Sequence, residues 1–384
     1  TLHAGGAETF VVRLANALAG AHEVVLFNIY PHLSKQALMN QLVPGVRLIN
    51  LNIAGLRLKQ KADGLLLRLG IDHALVEQSI IGALDETIGS FKPDVVHSHL
   101  FKPDYYVTKL HGKYKFCHVA TNHGDYQLFE QAPPTRILNY TAKRNLVLQR
   151  LNHMANISDM QMNWFQQLKA ELGLTLGIHK ILNGYEVNEI KPLDRAALGI
   201  PEDAFVLGMV ARGIPEKGWE YLVKEFVNSN LNNSYLILVG EGPAIDALRS
   251  QHSGDQRIIF AGYSDQPVQY IRLFDVGVLC SVYKGESLPT VVIEYLYCGK
   301  PVIATNVGEI SKMLAAGNGQ MAGDLLQCPG YQLNPGDLAA LMKQYHAQPQ
   351  YLAEKQQYTI PAFNKFDMKH CIEQYLSIYQ LPYE

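Results

Sequence analysis

Residues 284–305 read KGESLPTVVIEYLYCGKPVIAT. Two carboxylates, Glu286 and Glu294, stand eight positions apart with Pro289 between them. Proline is tolerated at a helix start, where its missing N–H would have had no intrahelical partner. A helix therefore begins near Pro289, runs through an apolar stretch and closes at Cys298-Gly299, and the β-rich VIAT that follows is a strand. Glu294 lies between Ile293 and Tyr295-Leu296 in that apolar run, so its charge needs a partner. Both carboxylates are expected to look into one cleft. The free N–H groups of Leu288 and Thr290, with the helix dipole behind them, can hold a phosphate. A carboxylate accepts two hydrogen bonds from a vicinal diol, which makes Glu294 a ribose clamp and leaves Glu286 for sugar hydroxyls.

Loop–helix–strand units of this kind recur on either side. In the first half, HEVVLFNIY, VRLINLNI, DVVHSHL, FCHVATNHG, HMANIS and HKILNG read as strands; in the second, FVLGMVA, YLILVG, RIIFAG, VGVLCS and PVIAT do. Runs that are apolar on both faces and separated by helices indicate parallel strands covered on both sides. The pattern restarts between Asn183 and Pro192, with Pro201 just beyond. We expect two Rossmann-like, doubly wound α/β domains facing a central cleft, with ligands at the carboxyl ends of the strands. Residues 1–185 are expected to form the N-terminal domain and 186–362 the second, while 363–384, including FDMKHCIEQYLSIYQ, are expected to form a C-terminal helix crossing back to the first domain. The chain opens TLHAGGAETFVVRLANALAG, a glycine loop leading at once into a helix, so a first strand is expected to be missing before it.

Three further clusters fall at strand ends or helix starts. Gly5 and Gly6 in HAGGAET let the backbone approach an anion. In VARGIPEKGWEYLV a strand ends at Ala211, and Arg212 and Lys217 stand five apart across the following loop. Two such cations can straddle a diphosphate, Arg as a planar fork and Lys as a point charge. His97 and His99 in DVVHSHL share one side of a strand, and zinc must be considered; no third ligand at metal-like spacing is visible. His123 with Asp125 in TNHGDY suits a sugar-hydroxyl contact or an acceptor-side polar group better, and satisfied structural roles for His97 and His99 stay open.

The 384 residues suit two domains, and the formal charge of −2 implies no affinity for nucleic acid. Residues 1–183 carry 18 Lys/Arg against 13 Asp/Glu, a positive half that could contact a membrane peripherally. The five cysteines are scattered and show no CxxC, as in a reduced cytoplasmic protein. There is no GxGxxG with a following acid and no GxxxxGK[ST], which disfavours a nicotinamide enzyme or a P-loop protein. The Asp-x-Asp metal site of another sugar-transferase class is also lacking.

Taken in order, GGAE, ARGIPEKG, LVGEGP, the E-x7-E followed by CGKPVIAT, and GYQLNPGD resemble retaining glycosyltransferase family 4, over nearly the whole chain. That resemblance implies the GT-B fold. It also implies transfer of a sugar from a UDP- or GDP-linked donor, with retention, with no cofactor and no bound metal. By the same likeness Gly6, Arg212, Lys217 and the segment Leu288, Pro289, Thr290 would hold the diphosphate, and Glu294 the ribose. Glu286 would meet the donor sugar, the backbone around Tyr263 the base, and His123 would sit beside the transferred sugar. The acceptor would be a carbohydrate or lipid-linked sugar of cell-surface polysaccharide or glycolipid synthesis, met by loops at 54–72 and 101–150, at the inner face of the membrane. Two departures bear on details: KGESLPT replaces the commoner EGFGLP, and Glu309 stands where glycine is frequent. A nucleotide-sugar 2-epimerase and a non-catalytic nucleotide-sugar-binding subunit remain the alternatives.

Overall fold

The computed structural model describes residues 2, 5–71, 74–132, 137–186 and 193–379. Two compact units make up the chain: Thr1–Gly184 with Met368–Glu384, and Tyr185–Asp367. Of the expected boundary Asn183–Pro192, positions 187–192 lie outside the described residues, as do His3 and Ala4 of the opening glycine loop.

In the first unit, β1 (Val24–Asn28) and β2 (Val46–Asn50) pair in parallel as a two-stranded sheet. A separate parallel sheet has the order β3 (Val95–His99), β4 (Cys117–Asn122), β5 (His153–Asn156), β6 (Gly177–Lys180). The second sheet is covered on both faces, and β4 shows how. Cys117 and Val119 point into a core built with Phe10, Leu14, Met368, Cys371 and Tyr375, while Ala120 points into the opposite core with Ile80, Leu84, Phe101 and Phe165. Alternation along a strand sends neighbours to opposite faces, which is why both faces must be apolar in the sequence. The helix Met368–Tyr379 supplies Met368, Cys371, Tyr375 and Ile378 to the first of these cores, one face at helical spacing.

The expected third segment, 363–384, divides differently. Residues through Asp367 belong to the second unit, because Phe366 is fully buried there and its carbonyl accepts from the Tyr185 N–H at 2.7 Å.

The second unit is one six-stranded parallel sheet. Its strands are β7 (Phe205–Val210), β8 (Ser234–Val239), β9 (Ile258–Gly262), β10 (Val276–Leu279), β11 (Val302–Thr305) and β12 (Gly323–Leu326), in the order β12-β11-β10-β7-β8-β9. Read from the other edge this is 3-2-1-4-5-6, the doubly wound order whose direction reverses between the first and fourth strands. Ten of the eleven strands expected from the sequence lie in the expected segments; β6 lies earlier, so that only His179 and Lys180 of HKILNG belong to it. The edge strand β12 was not expected: GDLL is four residues long and carries Asp324, so it lacks the apolar run that marks the others.

Candidate functional site

In an open α/β sheet, ligands bind outside the carboxyl ends of the strands at the point where strand order reverses. In the second unit that point lies between β7 and β10. The loop after β7 carries Arg212 and Lys217, and the loop after β10 carries Glu286. Topology therefore brings together residues 69 positions apart in sequence.

Several backbone contacts hold the two loops in place. The Val282 N–H donates to the Glu216 carbonyl at 2.8 Å, joining one loop to the other. The Trp219 indole N–H donates to the Arg212 carbonyl at 2.8 Å, so the fully buried ring anchors the main chain beneath an exposed guanidinium. Gly218 has φ +78°, and a Cβ there would collide with the Cys280 carbonyl, so glycine is required for the loop after β7 to lie against the end of β10. Gly308 plays the same part on the other side: its φ is +57° and a Cβ would strike the Glu286 carbonyl. Beside it the Glu309 N–H donates to the Ser287 carbonyl at 2.9 Å. Glu309 thus joins the β11 loop to the Glu286–Leu288 segment through its main chain, and its buried side chain lies 3.5 Å from the Lys312 ammonium.

Lys217 is not a solvated cation. It is 8% exposed, its ammonium donates to Glu286 Oε2, and it lies 5.6 Å from the centre of the Tyr283 ring. The expected diphosphate ligand and the expected sugar ligand are ion-paired with one another, which the sequence did not indicate. Leu288 and Ser287 are buried at the start of the next helix, Thr290–Tyr297. Pro289 stands at the helix start, as expected: it is the extended capping residue, with φ −66° and ψ 114°, and its carbonyl accepts from the Val292 N–H at 3.0 Å. The proline ring fixes φ near this value and sets the direction in which the first helical N–H groups point. Glu294 lies in the second turn and is 7% exposed. Tyr263 follows β9 at the sheet edge and is 45% exposed.

The remaining candidates belong to the first unit. Gly6 opens the helix Gly6–Leu18, with Gly5 as its cap and Glu8 in its first turn. The Glu8 carboxylate lies where a Cβ on Gly5 would be, so a carboxylate of the chain already lies at this helix start. His123 follows β4, and its Nε2 lies 3.2 Å from His99 Nδ1. Burial pushes the His123 imidazole down to about 4, so it is neutral at pH 7. Asp125 does not orient it: Oδ2 accepts from the Phe101 N–H at 2.7 Å.

His97 and His99 do share one side of β3, with ring centres 4.2 Å apart. His97, however, has both nitrogens engaged, Nδ1 with the Tyr379 hydroxyl at 2.7 Å and Nε2 with Thr121 Oγ1 at 2.8 Å, and Thr121 in turn meets the Tyr375 hydroxyl at 2.9 Å. These partners fit the satisfied structural role left open for His97. The Tyr-x-x-x-Tyr spacing of the last helix was the available signal for these partners. Among the described residues, no group of three His, Cys, Asp or Glu side chains is placed to hold a metal ion.

Known proteins agree with this architecture. The family model described as "Glycosyl transferases group 1" matches residues 190–359, and that described as "Glycosyltransferase Family 4" matches residues 4–169. The lipopolysaccharide core biosynthesis glycosyltransferase LpsE of Rhizobium meliloti is 24% identical over 306 residues, 78% of this chain and 76% of LpsE. LpsD of the same organism, with the same description, is 31% identical over 138 residues, 35% of this chain and 39% of LpsD, so the chain spans about two fifths of that relative. The crystal structure of Anabaena HepE in complex with UDP and glucose superposes with a TM-score of 0.73 at 18% identity, covering 99% of this chain and 98% of that one. The fold is GT-B, with two Rossmann-like domains, and the chain is a glycosyltransferase.

Proposed function

We propose that this chain transfers a sugar from a UDP- or GDP-linked donor to a lipid-linked or carbohydrate acceptor, with retention and without a metal ion. The reading rests above all on the buried Lys217–Glu286 pair at the reversal point of the second unit's six-stranded sheet, beside the start of the Thr290–Tyr297 helix. A buried charge pair is weak evidence for stability. At a ligand-binding crevice it is a natural way to keep a cation and a carboxylate ready for a ligand that carries a diphosphate and hydroxyls.

In this reading Arg212, Lys217 and the amides from Leu288 to Thr290 hold the diphosphate. Pro289 sets the direction of the helix start, Glu294 takes the ribose, Glu286 the sugar and the backbone at Tyr263 the base. In the first unit, Gly6 and His123 are proposed as donor contacts on chemical grounds, a helix-start amide for phosphate and a neutral imidazole for a sugar hydroxyl. As the bond from the anomeric carbon to the diphosphate oxygen breaks, negative charge grows on the leaving group, and fixed N–H groups and cations stabilise it. The acceptor oxygen bonds to that carbon on the same face, and its proton passes to the departing diphosphate oxygen. No second carboxylate is required as a nucleophile.

Both relatives carry lipopolysaccharide core synthesis in their descriptions, which favours a lipid-linked saccharide acceptor and a peripheral contact of the first unit with the inner face of a membrane. Titration with a panel of UDP- and GDP-sugars, followed by calorimetry and by release of free sugar, tests the donor reading. Saturable binding of at least one donor, with slow hydrolysis, is expected; binding of none refutes it.

A further inference from the structure

The helix Leu56–Arg68 of the first unit, where an acceptor-binding loop was expected, has no fully buried residue. Its inward side is committed to the neighbouring helix Leu75–Phe91. The Lys59 ammonium donates to Ser79 Oγ at 2.7 Å, and Asp63 accepts from the Leu75 and Val76 N–H groups at 2.6 and 3.0 Å. The outward side carries two parallel stripes. Leu58 (73% exposed), Leu65 (59%) and Leu69 (65%) recur at i, i+7 and i+11, and Arg57, Lys61 and Arg68, all exposed, recur at i, i+4 and i+11. At 100° per residue each set falls within about 40° of arc, and the two lie side by side. Leu67 is exposed too but lies on the opposite side of the helix from the leucine stripe, and Ile71, also exposed, follows the helix end. Asp63 is the one acid from residue 52 to residue 71, and its carboxylate is turned inward onto the next helix.

We infer that this helix docks the protein on a lipid surface bearing anionic headgroups. The inference deepens the proposed membrane contact of the first unit and rests on it. The leucine stripe alone would suit any apolar partner, and the cationic stripe beside it selects among them. A second copy of the chain, packing the same face about a two-fold axis, would bring Arg57, Lys61 and Arg68 against their own counterparts. An anionic bilayer offers an acyl boundary for the leucines and phosphates for the cations at the same depth, so the helix lies in the plane of the interface. No helix among the described residues is long and apolar enough to cross a membrane.

The test is co-sedimentation of the full chain with vesicles of phosphatidylcholine alone or with roughly one third phosphatidylglycerol, at low and high salt. Tight binding is expected for the anionic vesicles at low salt, weakening as salt screens the contact. The variant Arg57→Gln/Lys61→Gln/Arg68→Gln should lose about fivefold per cation, roughly a hundredfold in all, and keep little salt dependence. Leu58→Ser/Leu65→Ser/Leu69→Ser should lose at least about tenfold on the same vesicles. Both variants alter exposed positions and should keep the wild-type melting temperature and affinity for UDP or GDP. If the wild type ignores anionic vesicles, this inference and the membrane contact both fail. If the wild type binds and both variants bind equally well, the membrane contact stands and the assignment to this helix fails. A concentration-dependent dimer abolished by the leucine variant would make the face an interface between copies and overturn the inference.

Discussion

Glu286→Gln separates the two roles assigned to one ion pair. The Lys217 and Glu286 side chains are 10% and 9% exposed, so each is the other's main source of countercharge. Removing one partner of a fully buried pair costs about 3–5 kcal/mol. Glutamine keeps an acceptor oxygen at the same place, and a hydrogen bond to a charged group recovers part of that, so a loss of about 2–3 kcal/mol is expected. For a unit of this size that is a fall in melting temperature of roughly 4–12 °C. A nucleoside diphosphate should reverse part of it, because its phosphates supply the charge that Lys217 has lost. The melting gap between wild type and variant should therefore narrow at saturating UDP or GDP. Nucleotide affinity should accordingly rise, by up to about tenfold, or 1.4 kcal/mol, since Lys217 no longer has to leave a carboxylate. Turnover should still fall by roughly a hundredfold, the loss of about 3 kcal/mol of transition-state contact with the sugar. Scanning calorimetry with and without nucleotide reads the first two effects, and sugar transfer the third. A variant that is destabilised as expected but gains nothing from nucleotide would refute the placing of Lys217 on the diphosphate.

Glu294→Gln should weaken UDP, GDP and nucleotide-sugar binding alike, because the ribose is common to all; wild-type affinity in calorimetry would remove Glu294 from the site. Arg212→Ala should weaken donor binding by about 1.5–3 kcal/mol with little change in melting temperature, since its side chain is exposed and its carbonyl, which holds Trp219, is untouched. Activity should survive excess EDTA; loss of turnover restored by magnesium or manganese would refute the metal-free reading. Burial holds His97 and His118 near 3 and His123 and His153 near 4, and His99 is also well below its usual value. With folded values below unfolded ones, the stability these groups give is full above about pH 6.5 and is lost as pH falls towards 4, at up to about 1.4 kcal/mol per pH unit for each net proton. Asp104 and Asp125 are raised by burial and act with the opposite sign, but they are outnumbered, so chemical denaturation should show the protein weaker at pH 5 than at pH 7. Equal midpoints at the two pH values would contradict this.

Much of this protein was legible in one dimension. Strands such as YLILVG and VGVLCS are apolar on both faces because helices cover the parallel sheet on both sides, and that requirement is written residue by residue. The same holds for the helix start at Pro289 and for glycines such as Gly218, where the backbone itself demands a residue type. The short edge strand β12 was not legible, because one partner strand can hold a four-residue segment that has no apolar run of its own. Pairings across the sheet were likewise hidden. Lys217 and Glu286 meet because strand order reverses between β7 and β10, and hydrogen-bonded order is a property of the folded sheet. His97 finds one of its partners, the Tyr379 hydroxyl, on a helix 282 residues away, a distance over which no local spacing rule operates. The face of Leu56–Arg68 is a similar case: its sequence shows leucines and cations, but only packing against Leu75–Phe91 decides that Lys59 and Asp63 turn inward while the leucine stripe and three cations are left to the outside.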